Sequence, residues 1–122
     1  MSVEIEGNKI KMTRGDTLLA EIQCFRKEGD ELVPYTPENG DKVRFALKHA
    51  TMNKNKTEFI EEEPLIRRDI PIDTMLLELY PEDTKELGFG RNYTYDIEIT
   101  FADGRVSTFI EDSPFELTRE VD

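Results

Sequence analysis

The segment NYTYDIEITFADGRVSTFI, residues 92–110, carries the clearest periodic signal in the chain. Tyr93, Tyr95, Ile97 and Ile99 alternate with Thr94, Asp96 and Glu98. An extended backbone therefore puts four large apolar side chains on one face and polar groups on the other. Asp103-Gly104 follows with the chemistry of a tight turn, after which Val106, Thr108 and Ile110 recur at every second residue. This order predicts an antiparallel hairpin, with Val106, Thr108 and Ile110 sharing a face.

The same period extends outward in both directions. Leu18, Ala20, Ile22 and Cys24 form one stripe, Val43, Phe45 and Leu47 a second, and Met75, Leu77 and Leu79 a third. Phe115, Leu117 and Arg119 predict a short last strand, its approach set by Pro114. TPENGD, residues 36–41, reads as a turn, and PEDTKELG, residues 81–88, as a single helical turn with Asp83 or Thr84 near its start. KHATMNKNKTE, residues 48–58, reads as a flexible connection or weak strand edge whose lysines are balanced by Glu61 to Glu63. No repeat or Gly/Ser linker divides the chain, so residues 1–122 are expected to form one domain. Half-apolar strands need a covering layer. The predicted fold is an all-β, antiparallel β-sandwich of about seven or eight strands, with a small barrel as the alternative.

Composition narrows the function classes. At 122 residues, 37% hydrophobic and 35% charged, with seven Phe and four Tyr, the chain can build one core beneath a strongly hydrated surface. Its formal charge of −11 opposes association with phosphate backbones and anionic membranes, so neither nucleic acid nor membrane is an expected partner. Cys24 is the single cysteine, which excludes an intrachain disulfide, and its place in an apolar stripe makes it a buried thiol. The N-terminal residues lack a basic stretch leading to a long apolar segment. With no secretion signal read there, the Asn55 and Asn92 sequons are expected to be unused.

No residue set points to catalysis. His49 is the only histidine, at a strand boundary, and Ser2, Ser107 and Ser113 all lack a nucleophile-elbow setting. Asp96 and Glu98 share the polar strand face, where solvation accounts for them. Asp103, Glu111 and Asp112 are explained by turn chemistry and surface charge, without the roughly six to eight oxygen ligands that calcium takes. The expected catalytic, cofactor and metal residues are therefore none. Tyr35, Tyr80, Tyr93 and Tyr95 are the candidates for an aromatic sugar platform, although Tyr93 and Tyr95 are expected in the core. The triplet Arg14-Gly15-Asp16, between two alternating runs, reads as a turn rather than a projecting integrin-type recognition loop.

MTRGDT, residues 12–17, followed by LYPEDTKELGFGRNYTYDIEITFADGRVST, residues 79–108, resembles the N-terminal immunoglobulin-like domain of phage baseplate upper proteins and related prophage proteins. The strongest blocks are Arg14 to Thr17, Asp83-Thr84 with Leu87, Tyr93 to Ile97, and Gly104 with Thr108. The resemblance extends over nearly the whole chain. It implies an immunoglobulin-like sandwich with a noncatalytic role in a phage tail or baseplate, phage tail proteins as partners, and a place in the virion tail, or otherwise in the cytoplasm. A carbohydrate-binding module is the alternative. In the family the domain is followed by further chain that builds a fibre or receptor-binding assembly. The sequence stops at Asp122, so a homo-oligomer is possible but the family's oligomerisation is not carried over.

Overall fold

The computed structural model describes residues 3–49, 64–88 and 92–119. The Asn55 sequon, Ser2, Glu61 to Glu63 and the lysine-rich connection from residue 50 lie outside the described residues, as does the Asn92 side chain.

Alternation produces the expected strands, arranged in a curled, mostly antiparallel sheet faced by smaller ones. The large sheet contains β1 (Val3–Glu6), β2 (Lys9–Thr13), β10 (Val106–Thr118), β9 (Asn92–Thr100), β6 (Lys42–His49) and β7 (Ile66–Ile70), in that spatial order. β3 (Leu18–Glu21) pairs with β8 (Leu76–Leu79), and β4 (Phe25–Glu28) with β5 (Glu31–Pro34). β8 lies beside β7, and β4 against β10, so the large sheet curls toward the small ones in a sandwich-like arrangement. α1 (Pro81–Thr84) is the single helical turn expected after β8, but Tyr80 stands at its N-cap and Asp83 and Thr84 are its last two residues, not its start.

The core follows from strand parity. Tyr93, Tyr95, Ile97 and Ile99 are all buried, as are Val43, Phe45 and Leu47 on β6, and they meet Leu18, Ala20, Leu77 and Leu79 of the facing layer. Phe45 packs its ring on Tyr95 at 5.5 Å and on Phe115 at 6.4 Å between centroids. Cys24 is buried beside this cluster, in agreement with the reading of an inert thiol.

Several expectations need correction. β2 runs parallel to β10, pairing Ile10 with Phe115 and Met12 with Leu117, so the sheet is not wholly antiparallel. Ten strands occur among the described residues rather than seven or eight. Two of the additional hairpins, β1–β2 and β4–β5, close on Gly7-Asn8 and Gly29-Asp30, with both glycines at φ 60°. Each is a two-residue Gly-X loop, a signal present in the sequence but lying among weakly alternating residues.

β3 ends at Glu21, leaving Ile22 and Cys24 beyond it, and Met75 precedes β8 at φ 52°, its carbonyl accepting from the Ile22 N–H at 2.8 Å. Residues 106–118 form one strand with two register shifts, not two strands, and Arg119 falls after it. Val106 and Thr108 stay exposed, while the shift between Thr108 and Ile110 turns Phe109 and Ile110 inward. An inserted residue reverses parity; the three residues therefore do not share a face. Pro114 is tolerated because β2 joins β10 only from Phe115 onward.

Candidate functional site

The Arg14–Thr17 segment forms the turn between β2 and β3. Gly15 takes φ 88°, in the left-handed region that glycine enters without a Cβ penalty. Its N–H donates to Thr84 Oγ1 at 2.9 Å, and Arg14 Nη1 donates to the Leu87 carbonyl at 3.2 Å. The Arg14 N–H in turn donates to the Thr118 carbonyl at 3.0 Å. The triplet is a turn clasped against α1 rather than a projecting loop. The Tyr80 N–H donates to Asp83 Oδ2 at 2.7 Å, and Arg68 on β7 ion-pairs with Asp83 Oδ1. Such ties hold a four-residue helix that could not stand alone.

A second polar knot joins the loop after β5 to the β9–β10 turn. Buried Asp41 accepts from the Tyr35 hydroxyl at 2.6 Å, the Glu38 N–H at 2.8 Å and the Ala102 N–H at 3.1 Å. Burial opposes its charge, but the bonds from Tyr35, Glu38 and Ala102 prevail and hold its carboxyl below the ordinary value. Chiefly through the same bond, Tyr35 is pushed up to about 12. Burial, reinforced by the Asp41 charge, raises the Cys24 thiol to about 11, which leaves no reactive thiolate.

On the outer face, Lys48 Nζ lies 2.8 Å from Asp96 Oδ2 and 3.2 Å from Asp112 Oδ1. Asp112 sits at φ 47° in the second register shift of β10, its N–H donating to Asp96 Oδ1 at 2.7 Å. The bond to Asp96, outweighing partial burial, raises the Lys48 pKa and keeps its ammonium charged, the reverse of what an amine nucleophile requires. This cluster fastens a bulge. Asp103 is occupied by Arg105 at 2.8 Å and does not join Asp112. Among the described residues no group of three or more His, Cys, Asp or Glu is placed to hold a metal ion.

The histidine and serines are kept apart by register. His49 ends β6 with its ring stacked on Tyr93, centroids 5.4 Å apart. Ser107 pairs with Ile99, which pairs with Val43, so it stands roughly 20 Å from His49 along the sheet. Ser113 pairs with Tyr95, about 12 Å away across two strand spacings. The tyrosines do not converge either: Tyr93 and Tyr95 are buried, Tyr35 packs edge-on to Phe101 at 5.6 Å, and Tyr80 is exposed after β8.

One opening into the core was not foreseen. A groove of about 320 Å³ lies between the β1–β2 hairpin and the segment running from β3 to β5. Ile5 and Ile10 line one wall, Phe25 and Leu32 another, and Tyr95 and Ile110 also border it. The Tyr95 hydroxyl donates to the Asn8 carbonyl. Burial raises its pKa to about 12. Glu21 and Gln23 add polar groups. Ile5 was the available sequence signal, an apolar residue at the middle of a short alternating run. No family model, curated protein or solved structure matches the chain.

Proposed function

We propose that the chain is an immunoglobulin-like β-sandwich acting as a noncatalytic structural or adaptor domain of a phage or prophage tail or baseplate, through protein–protein assembly. The observation carrying this reading is the strand connectivity. An immunoglobulin sandwich places its B strand beside E in one sheet and C, F and G in the other, with C′ beyond C in the variable type. Here β3 pairs with β8, while β10, β9, β6 and β7 adjoin in that order, matching B–E and G–F–C–C′. The β4–β5 hairpin is then an insertion between B and C.

The sequence blocks that carry the resemblance support the same reading. Arg14 to Thr17 and Asp83 to Leu87 meet in space through the Gly15–Thr84 and Arg14–Leu87 bonds, although about seventy residues separate them. These blocks are framework contacts of one domain type. Asp96, Asp103 and Asp112, weighed above for chemistry, are engaged in framework bonds, which favours the strand edges and surfaces for recognition. Purified chain should capture at least one tail component encoded by neighbouring genes in a pull-down, with light scattering across salt concentration reporting self-association. Absence of both capture and self-association would overturn the assembly reading.

A further inference from the structure

We propose that the β1 edge and its adjoining groove receive an extended segment of a different protein, in which large apolar residues alternate with Lys or Arg. This rests on the assembly reading and specifies the partner's chemistry. Register locates the site. Tyr93, Phe115, Ile10 and Ile5 make one row across β9, β10, β2 and β1. Residues paired across strands project on the same face, so Ile5 belongs to the core side. The first three are at most 2% exposed, yet Ile5 is 52% exposed, because the facing layer ends short of β1 and leaves the groove. Leu32 on the opposing wall is likewise 57% exposed. Among the described strands, β1 is paired only with β2, leaving its outer backbone edge able to continue the ladder. An added strand would set an apolar side chain beside Ile5, inside the groove.

Charge decides which strand fits. In backbone register Lys11 of β2 stands between residue 116 of β10 and residue 4 of β1, and Lys9 Nζ approaches Glu116 at 3.8 Å. A strand added beyond β1, whose sequence is Val-Glu-Ile-Glu in a chain of net charge −11, is best served by cations at the positions that alternate with its apolar residues. A second copy is disfavoured: its β1 would set VEIE against VEIE, between chains that each carry −11. The fitting occupant is a heterologous, basic, alternating segment.

Two acetylated peptides of about seven residues, one alternating Lys with Val and one alternating Glu with Val, test this by titration and by amide exchange on the intact chain. The Lys–Val peptide should bind, protect β1 amides and weaken with added salt, while the Glu–Val peptide binds at least about tenfold less tightly. Ile5→Asp and Leu32→Ser should each weaken binding by about tenfold or more without shifting the unfolding midpoint. Should Ile5→Asp fail to fold, Leu32→Ser on the other wall decides. Equal binding of both peptides, protection on β7 instead, insensitivity to both substitutions, or self-pairing through β1 would each overturn the proposal. Tail-protein capture that is undiminished by both substitutions would defeat this site while leaving the assembly reading intact. Peptide binding without any capture would do the reverse.

Discussion

Gly15 and Thr84 form the most economical test of the turn clasp. A β-branched side chain at φ 88° is strained in isolation, so Gly15→Val should destabilise by about 1–2 kcal/mol or more in urea unfolding. Thr84→Val, which strands the Gly15 N–H beside a fully buried position, should cost about 1–2 kcal/mol. Asp41 has its own signature in pH. Its folded carboxyl titrates below the ordinary 3.8, so its stabilisation is fully present above that value and is lost as pH falls through the lower folded one. Asp41→Asn should therefore flatten the acid limb of the unfolding midpoint against pH below about pH 4. It should also cost about 1–3 kcal/mol at neutrality, since an amide cannot accept all three bonds. An acid limb as steep as that of the parent would remove Asp41 from this role. The sequence marked TPENGD as a turn but could not connect Asp41 to Ala102, 61 residues away.

At the scale of elements, β10 is where local pattern and structure part. Its 13 residues contain two register shifts, and Asp112 occupies the second at φ 47°. Asp112→Val should cost about 1–2 kcal/mol, because a branched side chain resists that backbone, whereas Asp112→Asn should cost much less, Asn being tolerant of the left-handed region. The Lys48–Asp112 pair adds little, Asp112 being 64% exposed. Equal losses from the two substitutions, measured by urea unfolding, would assign the effect to the ion pair instead of the backbone. Bulges were illegible in advance because an extra residue changes parity without changing composition. α1 was legible as a single turn in PEDTKELG, though not where it starts, and its permanence comes from Arg68 and Gly15 on other elements.

For the whole molecule, the two-layer core is the source of stability. Ile97 is fully buried at its centre, so Ile97→Asp should destabilise by about 3–5 kcal/mol, enough to unfold a marginal domain. A small shift in the denaturation midpoint would place that side chain near water and break the inward face of β9. By itself the sequence determined which face of each central strand is apolar, where Gly104 and Gly40 reverse the chain, and that Cys24 is a buried thiol. Those properties are local: they depend on period two, on the absence of a Cβ and on side-chain hydration. Only the tertiary structure decided that β2 runs parallel to β10, that β3 and β8 leave the large sheet, that the Arg14 turn clasps α1, and that β1 is an edge of the large sheet among the described strands. Strands join through backbone N–H and C=O groups, and because these are the same at nearly every residue, residue identity does not label one edge as the partner of another.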